Sequence, residues 1–183
     1  MIKSPPKCHV CFFRFQNHHI TLLSECIACS KCGITAHKFC YLPSAKRSFI
    51  CDVCNHSAKS STRCYLCGND GLLKKVNTGE FAHPVCLMFS RSAFVISYEN
   101  LSFFTYKENG KKKGIKCSIC KKVDSNVIKC FEKSCRHHAH MYCILKTCWE
   151  GESSWKHNLK IYERSAEVFL DFYEAKFKKY IKQ

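Results

Sequence analysis

The sequence predicts a small zinc-stabilised α+β fold: a cross-brace finger, two further zinc modules and a C-terminal amphipathic helix. Three observations carry that expectation. Within the first 54 residues the Cys and His positions read Cys8-x2-Cys11, Cys29-x2-Cys32-x4-His37-x2-Cys40 and Cys51-x2-Cys54. Two residues between sulfurs let both thiolates of a tight turn face one tetrahedral metal, and eight such ligands make two closed zinc sites. Two more Cys/His sets follow at 64–86 and 117–143, and from about Ile161 apolar residues recur at helical spacing.

The 183 residues include 17 Cys and 10 His, and no apolar run is long enough for a membrane helix or a signal-peptide core. The expectation is an intracellular, reduced chain without membrane contact, in which Cys-x2-Cys thiols are metal ligands. A secreted disulfide scaffold is the disfavoured alternative. Zinc then supplies folding energy that loop-rich segments of this size cannot draw from apolar burial alone. Lys and Arg number 30 against 14 Asp and Glu, a formal charge of +16. Zinc-bound thiolates lower that figure, but the excess still favours a polyanionic partner, DNA or RNA.

The first finger covers 6–56. The polar stretch Asn55 to Arg63, with 57–63 as the linker proper, is too short to let two domains tumble freely. The second set, over 64–90, is Cys64-x2-Cys67 with His83-x2-Cys86, four ligands that suffice for one zinc. Between them Gly68, Gly71 and Gly79 mark turns, and Leu72-Leu73 with Lys74-Lys75-Val76 reads as a short hairpin strand.

The third module covers 91–160. In Ser90 to Lys116, Phe94-Val95-Ile96 and Phe103-Phe104 read as core-forming strands, followed by an exposed basic loop at Lys111-Lys112-Lys113. Its ligands are Cys117-x2-Cys120 and Cys130-x4-Cys135-x4-His140-x2-Cys143, the logic of the first finger with two widened spacings. Over 161–183, Ala166, Phe169, Leu170, Tyr173, Phe177 and Tyr180 step by three and four, while Lys176, Lys178, Lys179 and Lys182 fall mostly between them. This is an amphipathic helix, either packed back on the third module or docked on a partner.

The stretch Ile27 to Pro43, with Cys29-Ser30-Lys31-Cys32-Gly33-Ile34-Thr35-Ala36-His37-Lys38-Phe39-Cys40-Tyr41, resembles the centre of a PHD finger. Ala82-His83-Pro84-Val85-Cys86, and Ile128-Lys129-Cys130 through Ala139-His140 to Cys143, resemble the zinc knuckle and extended PHD finger that follow such a finger. The order finger, linker, knuckle, extended finger is similar to the PZP module of the Jade and bromodomain-PHD scaffold proteins of histone acetyltransferase complexes. The resemblance covers about residues 8 to 160.

It implies a nuclear, non-catalytic chromatin reader and adaptor, with histone H3, DNA and acetyltransferase-complex subunits as partners. In that family the first finger takes the unmodified H3 amino terminus as an added strand. Carried over, the docking strand is Leu22, Leu23, Ser24, Glu25, Cys26, Ile27 and Ala28, just before Cys29. Phe49 stands where such fingers place a Trp beneath the peptide groove, and plain core packing fits it equally. Thr35, two before His37, removes the aromatic cage for trimethyl-lysine. Ser30 and Lys31 occupy the usual acidic neighbourhood, which leaves Glu25 and Asp52 as nearby acidic groups. DNA contacts fall to Lys111, Lys112, Lys113, Lys116, Lys121 and Lys122.

An extended finger normally closes its last zinc with a Cys-x2-His pair, yet Tyr162-Glu163-Arg164-Ser165-Ala166 contains neither ligand. Cys148 and His157 are the leading substitutes to complete the site of Cys130 and Cys135, with His137 and His138 as nearer, crowded options. The expectation is therefore four to five zinc ions. Cys26 is expected to be a buried thiol, although Cys26-x2-Cys29 offers a competing register. No open metal position, Gly-rich phosphate loop or nucleophile–base pair points to an enzyme or a small-molecule substrate. A RING-type ubiquitin ligase shares the cross-brace but not the spacing, and sequence-independent nucleic-acid binding is the other rival.

Overall fold

The computed structural model describes residues 7–12, 26–41, 49–58, 61–97, 100–106, 114–124, 126–130 and 134–150. Short antiparallel ladders alternate with short helices in these residues. In the first finger β1 (Cys26–Ala28) pairs with β2 (Thr35–His37), followed by α1 (Lys38–Tyr41) and α2 (Asp52–Asn55). The knuckle pairs β3 (Lys74–Lys75) with β4 (Phe81–Ala82) ahead of α3 (Pro84–Met88), and this is the hairpin predicted at Lys74-Lys75. The third module has β5 (Ala93–Ser97) on β6 (Ser102–Thr105), and β7 (Ile115–Lys116) on β8 (Val123–Asp124). It ends with β9 (Ile128–Lys129) on β10 (His138–Ala139), then α4 (Met141–Glu150). Two-stranded ladders this short do not stand alone in water, so the fold depends on what clamps their ends.

One apolar core runs through all three modules. Val10, Phe12 and Tyr41 meet Leu72, Leu73, Val85 and Leu87, and these meet Leu101, Phe103, Tyr142 and Leu145. A polar seam reinforces it. The Tyr41 hydroxyl donates to the Leu73 carbonyl at 2.8 Å and accepts the Asp52 N–H at 2.8 Å. The Asp52 carboxylate accepts the Lys75 N–H at 2.9 Å. Buried Lys74 lays its ammonium over the Tyr41 ring, 4.2 Å from the centroid, and donates to the Asn100 carbonyl at 2.8 Å. A buried cation persists only with such partners, so Lys74 ties first finger, knuckle and third module together.

Helix α4 is a feature that the ligand spacing does not announce, although Met141, Tyr142, Ile144 and Leu145 are spaced for one buried helical face, and all four are buried. Two further expectations need correction. Phe94-Val95-Ile96 and Phe103-Phe104 do form paired strands, but only Phe103 is buried, and Phe94, Ile96 and Phe104 are exposed. Successive strand residues face opposite ways, so a lone hairpin buries one face and turns the other out. Cys26 is an exposed thiol, not a buried one, because it opens an edge strand with nothing described outside it. The predicted amphipathic helix at 161–183 lies outside the described residues.

Candidate metal centres

The four Cys-x2-Cys pairs that open each centre are built on one turn. Phe12, Gly33, Gly68 and Lys121 each follow the second cysteine, and each has a positive φ, at 64°, 74°, 75° and 64°. Each also sends its N–H back to the carbonyl of the first cysteine, at 2.7 to 3.0 Å. The left-handed residue reverses the chain so that both sulfurs point to one side. Glycine takes that conformation freely, whereas Phe12 and Lys121 hold it against a cost of about 1–2 kcal/mol.

The second half of every centre uses a helix start. His37, Cys51, His83 and His140 stand just before α1, α2, α3 and α4, and Cys40, Cys54, Cys86 and Cys143 follow three residues later. Residues three apart share a helix face, so the pair converges on one point, and the helix start is the end that favours anionic sulfur. Pro84 at the first turn of α3 fixes φ where no N–H partner is needed.

These halves meet in four groups: Cys8, Cys11, His37 and Cys40; Cys29, Cys32, Cys51 and Cys54; Cys64, Cys67, His83 and Cys86; Cys117, Cys120, His140 and Cys143. The first two interleave along the chain, which is the cross-brace expected from the sequence. Within each group the ligand atoms lie within 4.8 Å of one another. Sulfur to Nδ1 separations are 3.3 and 3.6 Å at His37, 3.4 and 3.7 Å at His83, and 3.4 and 3.7 Å at His140. A zinc tetrahedron with ordinary Zn–S and Zn–N bonds has edges of roughly 3.6 Å, so the donor sets fit zinc. Four protein ligands close each tetrahedron.

The surroundings suit thiolates. The His37 N–H donates to the Cys8 sulfur at 3.3 Å and the Cys51 N–H to the Cys29 sulfur at 3.4 Å. Burial opposes ionisation of the Cys29 thiol, yet N–H groups of Cys51, Cys32 and Lys31 bring it down to about 6. His83 donates its far nitrogen, Nε2, to the Asp70 carbonyl at 2.9 Å, which fixes Nδ1 as the metal ligand. Asn69 Nδ2 donates to the Cys143 sulfur at 3.3 Å, so a residue of the knuckle reaches a ligand of the fourth centre.

Cys130 and Cys135 are buried but belong to none of the four groups. His137 pairs with the Ser118 hydroxyl at 3.1 Å, and His138 Nδ1 pairs with the Arg136 carbonyl at 3.0 Å. Cys148 falls in α4 with its side chain outside the described residues, and His157 lies outside them entirely. Cys26 joins no group, and Cys29 is matched with Cys32, so the competing register is not the one adopted.

Of the predicted peptide-docking residues, Leu22, Leu23, Ser24 and Glu25 lie outside the described residues, and Cys26, Ile27 and Ala28 form β1. Phe49 is buried edge-on to Tyr41, with centroids 5.2 Å apart, and its carbonyl accepts the Ser30 N–H. Asp52 is committed to Lys75 through the carboxylate bond of the polar seam. Of the predicted DNA contacts, Lys111, Lys112 and Lys113 lie outside the described residues and Lys116 is exposed on β7. Lys121 donates to the Ser118 carbonyl, and half-buried Lys122 donates to the Tyr65 carbonyl of the knuckle at 2.9 Å.

Comparison with known proteins decides the family. A model described as a PHD-zinc-finger-like domain matches residues 62–165, more than half of the chain. The chain belongs to the PHD-zinc-finger-like family. Mouse PHD finger protein 14 is 31% identical to this PHD-type chain over 142 residues, covering 67% of the chain and 15% of the relative. Protein Jade-1 of zebrafish is 27% identical over 128 residues, with the same two shares. The chain thus spans about 15% of the length of these relatives. The crystal structure of the zebrafish PHF14 PZP segment superposes with a TM-score of 0.56 at 25% identity, covering 75% of this chain and 73% of that one. The zinc-binding PHD-type architecture read from the sequence is therefore the architecture of the chain.

Proposed function

We propose that this PHD-type module is a non-catalytic, nuclear chromatin reader that takes the unmodified amino-terminal tail of histone H3 as an added strand on β1. The observation that carries the reading is the outer edge of that strand. Among the described residues β1 pairs with β2 alone. The Thr35 carbonyl of β2 accepts the His9 N–H at 2.9 Å and so faces away from β1. Antiparallel bonding alternates, so Ile27 opposite Ala36 carries the bonds to β2, and Cys26 and Ala28 present their N–H and C=O groups outward. An extended peptide can use those groups, and free sheet edges are where such peptides add.

Thr35 stands in place of a cage aromatic and one oxygen of Asp52 is bonded to the Lys75 N–H, so in this proposal selection rests chiefly on backbone pairing and a free amino terminus. A role beside an acetyltransferase belongs to the same proposal and rests on the family resemblance.

A second reading, nucleic-acid binding alone, draws on the formal charge of +16 and on exposed Lys116, Lys129 and Arg136 of the third module. Titrating the zinc-loaded chain with an unmodified H3 amino-terminal peptide, its acetyl-blocked form and duplex DNA separates the two. The reader binds the free peptide at least tenfold more tightly than the blocked one. Intact DNA affinity without peptide binding leaves only the nucleic-acid module.

A further inference from the structure

The hairpin β5–β6 carries an apolar face that the fold leaves open. Phe94, Ile96, Phe104 and Tyr106 are 53%, 59%, 39% and 48% exposed. Phe94 lies opposite Phe104 in the ladder with ring centroids 5.2 Å apart; Tyr106, two positions after Phe104, extends the patch towards one end of that pair, and Ile96, at the register irregularity between Val95 and Ser97, lies towards the other. The Tyr106 hydroxyl is anchored to the Arg91 carbonyl at 2.7 Å, which holds that ring at the edge of the patch. The opposite face, with Phe103 and Thr105, is buried in the module. Scattered exposed apolar residues need no explanation, but four along one hairpin, with two of their aromatic rings paired across the ladder, mark a surface suited to be covered.

We infer that the occupant is this chain's own segment 161–183. Its stripe of Ala166, Phe169, Leu170, Tyr173, Phe177 and Tyr180 is continuous over fourteen steps, about 21 Å of helix. A five-residue strand is about 16 Å long, so the stripe is long enough to span the hairpin. The path also fits. Helix α4 packs on α3 and α3 packs on β5, so the chain leaves α4 beside the hairpin's own support. The ten residues 151–160 reach up to about 33 Å, enough to turn from one face to the other.

Docking buries the stripe and leaves Lys176, Lys178, Lys179 and Lys182 mostly turned to solvent. A tether this short holds the segment at an effective concentration on the order of millimolar, which favours it over a second copy or a separate protein at ordinary concentrations. Covered in this way, the third module completes its core with a helix and presents a basic outer surface.

A photoreactive benzoylphenylalanine placed at position 94 of the full, zinc-loaded chain tests the inference. Irradiation followed by peptide mass mapping is expected to join position 94 to a peptide from 161–183 within a single monomer. In the same chain carrying Phe169→Asp and Tyr173→Asp, the cross-link disappears and fluorescence of an apolar-surface dye rises severalfold, while zinc content stays unchanged. A cross-link between two copies, or none to 161–183 in the unsubstituted chain, overturns the proposal. So does a cross-link that survives both substitutions.

Discussion

The Tyr142 ring lies flat on the His83 imidazole, with centroids 3.5 Å apart and planes 12° apart. This stack joins a ligand of the knuckle centre to the helix that carries Cys143 of the fourth centre and follows directly on His140. The Tyr142 hydroxyl donates to the Asp70 carbonyl at 2.9 Å, the same oxygen that His83 Nε2 engages. Phe12 of the first finger meets the Tyr142 ring edge-on, with centroids 5.2 Å apart. Gly71 makes room for it: a Cβ there would stand 2.6 Å from the Tyr142 hydroxyl and 2.9 Å from His83 Nε2. Three modules thus converge on one ring.

Tyr142→Ala should therefore cost about 3–5 kcal/mol and loosen the third and fourth centres together, whereas Tyr142→Phe, losing one hydrogen bond, should cost about 1 kcal/mol. Denaturant unfolding read against a zinc indicator checks both. Tyr142→Ala releasing zinc from one centre only would contradict the coupling.

Zinc should be bound at four equivalents by the described groups, and chelation should unfold the chain cooperatively because binding energy here is folding energy. Cys29→Ala should collapse the first finger, and Cys26→Ala should release no metal. A fifth equivalent, lost in both Cys148→Ala and His157→Ala, is the expected result if these complete the site of Cys130 and Cys135. Metal analysis of the purified variants decides each case.

Much of this is legible because zinc spacing is a strict code. A Cys-x2-Cys turn and a His-x2-Cys helix start each fix two ligands locally, so all sixteen grouped ligands stand out in the sequence. What stays hidden depends on long-range packing. Cys26 and Ile96 look like core residues by composition, but whether a strand face is covered is decided by what lies over it, which no local pattern states. Lys122 looks like a free cation until Tyr65 is found beside it, fifty-seven positions earlier in the chain. The tie of Asn69 to Cys143 spans a similar distance and leaves no trace in spacing.

Burial lowers the Lys74 ammonium to about 8, with Asp52 partly opposing the shift. Below that pH both folded and unfolded chains carry the proton, and burying the cation costs its full amount. Between about pH 8 and 10.5 the folded chain releases the proton first, so stability rises with pH, by up to about 1.4 kcal/mol per unit. Lys74→Met should remove this contribution, and the stability difference between variant and parent should move in the parent's favour over that window. Chemical denaturation at pH 7, 8, 9 and 10 reads it, and a pH-independent difference would show that Lys74 does not titrate there.

Neutralising Lys111, Lys112 and Lys113 to Gln should weaken DNA binding equally across sequences and reduce the salt slope by about 0.9 for each phosphate that is no longer neutralised. Lys122→Gln should instead lower stability, since its ammonium is tied to Tyr65. Binding titrations over a series of salt concentrations, with melting curves alongside, separate the two effects.

The edge of β1 is tested most directly by an amide spectrum of the zinc-loaded chain during titration with the unmodified H3 amino-terminal peptide. The account predicts the largest shifts and newly slowed hydrogen exchange at Cys26 and Ala28, with Ile27 little changed because its bonds already go to Ala36. It also predicts that Ala28→Pro, which deletes an outward N–H on an edge strand, abolishes the response while zinc stays bound. Peptide binding that leaves the Cys26 and Ala28 amides unmoved, or that survives Ala28→Pro, would contradict it.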